Sequence, residues 1–190
     1  MPPDLHMGLR IEVGDGIELR PVRLEDAEPI YFLVEVNRER LGQWLPWVPA
    51  VQSAADEAAF IRGTHEQLES GTGLSCVMLV DRAIAGTMSC SINVANRSAE
   101  VGYWVAESFG GQGVVTRGVR AMTTFLFADL DMHRVAIRAA TDNARSRAVP
   151  ERLGFVHEGT QRHAEILNDE FFDLEVYSML APEWPTNGAH

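Results

Sequence analysis

Apolar and polar residues alternate through Gly16–Val22, which reads as a strand, and the spacing then lengthens to a helical period over Leu24–Leu41 and again over Ser53–Glu69. The second helix opens on Ser53 with Asp56 three residues on, a capping pair. Alternation returns in Gly73–Asp81, Ala83–Val94 and Ser98–Ala106, joined by short polar turns at Asp81-Arg82 and Asn96-Arg97, so three sequential antiparallel strands are expected. From Gly113 to Asp129 the residues Val114, Val115, Val119, Met122, Phe125 and Leu126 recur at helical spacing, and a short strand rich in branched residues, Arg134–Ala140, follows. Strand, helix, strand implies a parallel crossover. Asn143–Arg152 is a short helix ending at Gly154, and Phe155–Leu167 and Glu170–Leu180 form a closing hairpin about Asn168-Asp169.

These seven strands and four helices predict an α+β (α/β) fold: a mixed, mostly antiparallel sheet with a parallel pair at its centre, one domain over residues 1–190. The first dozen residues and Pro185–His190 carry no pattern and are expected to be loose. Such a sheet can splay where Ser98–Ala106 meets Arg134–Ala140, and a splayed pair exposes unpaired backbone groups.

Glycines 110, 111 and 113 stand between that first strand and the helix that follows. They let the backbone turn tightly and approach a ligand, and the first free amides of the helix then point at anionic oxygens. A diphosphate fits there without a cationic side chain. The dinucleotide fingerprint is excluded, because counting from Gly111 puts Thr116 where its third glycine belongs, and the P-loop is excluded because no Gly-Lys pair exists. Downstream, Asn143 caps a helix or donates to a ligand, and Ser146 sits at i+3 on the same face.

The stretch from Ala99 to about Tyr177 resembles the GNAT superfamily of acyl-coenzyme A N-acyltransferases, and within it the branch that acetylates ribosomal-protein N-terminal serines. That family's loop reads Gln/Arg-x-x-Gly-x-Gly/Ala; the chain has Gly110-Gly111-Gln112-Gly113-Val114-Val115, in which Gly111 and Gly113 match the branch's Gln-Gly-Lys-Gly form. Gly110 lacks the usual Gln/Arg side chain, and Val115 puts a branched side chain where the coenzyme comes close, so weaker affinity is expected rather than none. A second block, Thr141–Phe155, carries Asn-x-x-Ser and Leu-Gly-Phe. Leu41-Gly42-Gln43-Trp44-Leu45-Pro46-Trp47-Val48 resembles the segment that the branch places beside its acceptor, making Trp44 and Trp47 acceptor-pocket candidates.

The resemblance implies acetyl-CoA or another acyl-CoA as co-substrate, held by the backbone around Trp104 and Val105, by the loop Gly110, Gly111, Gln112, Gly113, Val114, Val115 and Thr116, and by Asn143 and Ser146. An amide near Trp104 and Val105 would polarise the thioester carbonyl. Glu165, in Ala164-Glu165, matches the branch's base, Ser146 would protonate the leaving thiolate, and Tyr177 would pack under the coenzyme. Alternation puts His163 on the same strand face as Glu165, as a substitute base.

Attack on the thioester by the amine would be direct, since neither cysteine has a neighbouring base and no nucleophile elbow exists. An α-amine with pKa about 8 is tens of percent neutral near pH 7.5, whereas a lysine near 10.4 is about 0.1% neutral, so an N-terminal acceptor needs the weaker base. Two alternatives stand beside an N-acyltransferase for protein N-termini or small amines: a coenzyme A-binding module without turnover, and an enzyme that modifies an antibiotic or toxin.

Composition narrows the partners. With 16 basic against 27 acidic residues and a net charge of −11, nucleic acid is not an expected partner. No apolar run approaches the roughly 18 residues of a membrane span, and residues 1–6 have no signal-peptide character, so a cytoplasmic protein with no membrane partner is expected. Cys76 and Cys90 read as buried free thiols, no metal site is expected, and a homodimer would follow the habit of relatives.

Overall fold

The computed structural model describes residues 5–185. Strands β1 (Ile11–Gly14), β2 (Ile17–Pro21), β3 (Gly73–Val80), β4 (Ala83–Asn93), β5 (Ser98–Val105), β6 (Arg134–Ala140), β7 (Val156–Leu167) and β8 (Glu170–Leu180) form one sheet in the order β1-β2-β3-β4-β5-β6-β8-β7. The hairpins turn where the sequence offers residues that tolerate positive φ: Asp81 and Arg82 at 48° and 72°, and Asn168 and Asp169 at 51° and 63°. The expected seven strands are eight. Ile11–Gly14 folds back on β2 through Asp15 and Gly16, and four residues with one buried apolar side chain give too short an alternation to read. Of the other residues expected to be loose, 5–10 form no helix or strand but pack Leu5 and Leu9 on the core, and 1–4 and 186–190 lie outside the described residues.

Two helices and a short third cover one face: α1 (Ala27–Val36), α2 (Arg38–Gly42) and α3 (Ala54–Ser70). Ile30, Val34, Ile61, Val77 and Trp104 make the core beneath them. The helix expected over Leu24–Leu41 is interrupted at both ends of α1. Leu24–Asp26 is a 3-10 turn fastened by Asp26, whose carboxylate accepts two bonds of 2.7 Å from Arg20 and one from the Arg23 amide. This pair is nearly buried, so losing one partner would cost about 3–5 kcal/mol, against about 0–1 for the exposed Arg23–Glu25 pair. At the other end Asn37 leaves the helical region with φ −113° and ψ 8°. The Ser53 cap is as expected, its Oγ accepting the Asp56 amide at 3.2 Å.

The opposite face carries α4 (Val114–Ala128) and α5 (Ala144–Arg152), packed through Val119, Met122, Leu126 and Val149 on Leu19, Met78, Met88, Val101 and Tyr177. No helix among the described residues is long and apolar enough to cross a membrane. β5 and β6 are the parallel pair, and they stay together only from Ser98 to Glu100 against Arg134 to Ala136. Beyond that point β5 continues to Val105 and β6 to Ala140 with no partner between them. The splay expected from the sequence is therefore present, with the N-terminus of α4 at its mouth.

Candidate active site

Gly111 and Gly113 adopt φ of 73° and 74°, a region closed to most side chains, and an added Cβ at either would meet nothing within 4 Å. The loop is thus open to solvent along its glycines. α4 begins at Val114, and its first backbone bond is the Arg117 amide to the Gly113 carbonyl at 3.0 Å. The amides of Gly111, Gln112, Gly113, Val114, Val115 and Thr116 have no acceptor among the described residues. Six consecutive free donors at a helix N-terminus suit a diphosphate. Val115 turns toward the core, so its branched side chain packs there. Arg117 fastens the loop, with Nη2 donating to the Gln112 carbonyl at 2.9 Å and Nη1 to Asp15 at 3.1 Å.

The edge of β5 sets the other wall. The Ala106 amide donates to Ala85 of the β4 side, and Arg97 offers its carbonyl to His133 and Arg134 on the β6 side. Pleat alternation then directs the backbone of Trp104 to its β4 partner Thr87 and that of Tyr103 and Val105 into the gap. Of the two residues expected to line the cleft through their backbone, Val105 faces it and Trp104 does not; the Trp104 indole is buried under α1. The Val105 carbonyl already accepts Arg40 Nη2 at 2.6 Å. Asn37 Oδ1 accepts Arg40 Nη2 at 3.1 Å and the Glu107 amide at 2.9 Å, which ties the α1–α2 break to the end of β5.

Asn143 caps α5 with Oδ1 accepting the Ser146 amide at 3.1 Å, and its Nδ2 has no partner among the described residues. Ser146 is half-buried beside Tyr103. Burial pushes the Tyr103 phenol up to about 12, so it remains protonated at neutral pH. Tyr177 is fully buried, donating to Glu151 at 2.9 Å and accepting from Arg147 Nε at 3.1 Å, a packing position within the α5 interface. Burial also raises both thiols, Cys90 to about 12, which removes either as a nucleophile.

Glu165 is half-buried on the edge strand β7, opposite Phe172. Alternation fails just before it. Residues 162–164 bulge between Gln161 and Glu165, and His163 takes φ 51°. The His163 ring stacks on Phe171 at 5.3 Å, and since Phe171 and Phe172 point to opposite faces, His163 does not share the face of Glu165 as the alternation had implied. On the Glu165 face a groove of about 380 Å³, lined by Ser91, Glu100, Arg138, Gln161 and Val176, runs below the point where β5 and β6 part. Trp47 lies at the same face, 36% exposed and 6.3 Å from Trp104, with Trp44 half-buried nearby in the chain.

Sequence reading missed Tyr103, Arg40, Asn37 and Arg117. Each acts on a residue distant in the chain, so no local spacing marks it.

Comparison with known proteins gives a consistent result. Residues 17–156 match the family described as acetyltransferase (GNAT) domain. YdaF of Bacillus subtilis (strain 168) is 37% identical over 175 residues, 91% of this chain and 96% of its own length. The ribosomal-protein-serine acetyltransferase of Escherichia coli (strain K12) is 30% identical over 171 residues, 90% of this chain and 96% of its own. The structure of RimL, a ribosomal L7/L12 alpha-N-protein acetyltransferase in complex with coenzyme A, superposes with a TM-score of 0.88 at 29% identity, covering 90% of this chain and 98% of that one.

Proposed function

Because the chain belongs to the GNAT acetyltransferase family and is an acyl-CoA-dependent N-acetyltransferase, we propose that its acceptor is the N-terminal α-amine of a protein, reached from the Glu165 face of the splayed sheet. The observation that carries the acyl-CoA half of this reading is the row of six unpartnered amides at Gly111–Thr116 beside the open edge of β5; the α-amine half is supported by the acceptors named for the relatives. Those amides hold the diphosphate, and the backbone of Tyr103 and Val105 aligns the pantetheine arm. The Val105 amide faces the oxygen that gains charge as the amine adds, an interaction of about 2.7–4 kcal/mol in other enzymes.

Glu165 takes the ammonium proton, directly or through water, and Ser146 hydrogen-bonds the departing sulfur. Trp44 and Trp47 wall the acceptor pocket. An α-amine, with pKa about 8, is neutral often enough for a carboxylate to serve. The ribosomal-protein serine named for the Escherichia coli relative and the alpha-N-protein acceptor named for RimL support a protein N-terminus and a cytoplasmic site of action.

An acceptor panel scored by free-thiol release tests the reading. Peptides with a free N-terminal serine are expected to turn over, while N-blocked lysine peptides, polyamines and amine-bearing antibiotics do not; the opposite preference overturns it. The chain has no lysine, so its own side chains add no ε-amine background. Glu165→Gln is expected to lower kcat/KM about 10²–10⁴-fold, the usual range for a lost general base. An undiminished value would remove Glu165 from that role.

A further inference from the structure

A carbonyl inside an α-helix ordinarily accepts the amide four residues on. For Ser146 that residue is Pro150, which lies inside α5 and has no N–H. The sequence therefore leaves the Ser146 carbonyl without a helical partner. Tyr103 supplies one, its hydroxyl donating to the Ser146 carbonyl at 3.0 Å from β5, across the gap where β5 and β6 no longer pair. The same phenol oxygen lies 3.4 Å from Ser146 Oγ, as acceptor of the serine hydroxyl. Asn143 holds the Ser146 amide at 3.1 Å. All three polar groups of Ser146 are thus engaged by two side chains, and one of them reaches over from the opposite wall of the cleft.

We propose that Tyr103 is a positioning residue for the acyl transfer: it takes the carbonyl that Pro150 vacates and so fixes the Ser146 hydroxyl at the cleft. The two contacts differ in strength in a useful way. The 3.0 Å bond is ordinary and locks the first turn of α5 to β5, whereas 3.4 Å is long for an O–H···O bond, so the serine hydrogen is only loosely kept. Ser146 Oγ–H is then free to turn from the phenol toward a sulfur that is gaining negative charge, and its resting acceptor limits the directions it samples. No proton leaves Tyr103.

This inference rests on the proposed contact of Ser146 with the departing sulfur, and the experiment separates the two. Steady-state kcat and KM for acetyl-CoA are measured for Tyr103→Phe, Ser146→Ala and the double variant, with thermal melting of each. Tyr103→Phe is expected to lower kcat about three- to tenfold, the effect of one hydrogen bond, with KM for acetyl-CoA within twofold of the parent. In the Ser146→Ala background the same change is expected to add nothing, because the two act as one unit. An equal loss with and without Ser146, which a mere folding defect would produce, overturns the proposal. So does an unchanged kcat in Tyr103→Phe when Ser146→Ala is impaired. A silent Ser146→Ala removes the role of Ser146 itself, and that of Tyr103 with it.

Discussion

Glu57 is buried at 4% exposure on α3, one turn before Ile61, and its carboxyl has neither an ion partner nor a hydrogen bond among the described residues. Burial alone raises its carboxyl to about 7. Between the ordinary carboxylate range and 7 the folded chain holds a proton that the unfolded chain has released, so stability falls as pH rises through that window and the penalty is complete above 7. Glu57→Met is therefore expected to stabilise more at pH 8 than below pH 4.5, by roughly 2 kcal/mol after allowing for partial access of water. Melting temperatures of the two proteins across pH check this. Glu57 was not legible as a buried group because its place in the α3 pattern is set by what packs on it. Asn143 and Ser53 were legible, since a cap is a relation between residues three apart. His163 was misread, since a bulge of three residues leaves no mark in an alternating pattern.

At the scale of elements, the break between α1 and α2 has a role that one continuous helix could not fill. Asn37 turns its side chain back to the Leu33 carbonyl at 2.8 Å and offers Oδ1 to Arg40 and Glu107. Arg40 then reaches the Val105 carbonyl, 65 residues away. Arg40→Met keeps the stem but leaves the Val105 carbonyl without its side-chain donor and removes one of the two donors to Asn37 Oδ1, a cost of about 1–3 kcal/mol. The expected result is a lower melting temperature together with KM for acetyl-CoA raised about fivefold, the size of one lost net hydrogen bond; an unaltered KM would show that β5 holds its edge without help. The glycine loop and the crossover from β5 through α4 to β6 were readable, because Gly111, Gly113 and the apolar spacing from Val114 to Leu126 are local. The eighth strand and the α1–α2 break were not. β1 exists because β2 is there to pair with it, and Asn37 bends a helix whose apolar period runs on past it.

For the molecule as a whole, the short β5–β6 pairing divides the sheet into β1–β5 and β6–β8–β7, joined by Ser98–Glu100 with Arg134–Ala136, by α4, and by Tyr103 on Ser146. A co-substrate held by Gly111–Thr116, by the Val105 edge and by Asn143 would touch both parts, and it would engage only the folded chain. At 100 times its Kd such a ligand stabilises by about 2.7 kcal/mol, which for 190 residues corresponds to a rise in Tm of roughly 5–10 °C. Hydrogen exchange gives the same test residue by residue. The amides of Gly111–Thr116 have no acceptor in the free chain and should exchange fast, and coenzyme A should slow them while leaving the β1–β2 hairpin unchanged. Stabilisation without protection at these six amides would place the diphosphate elsewhere, and the reading of the cleft would have to begin from that other position.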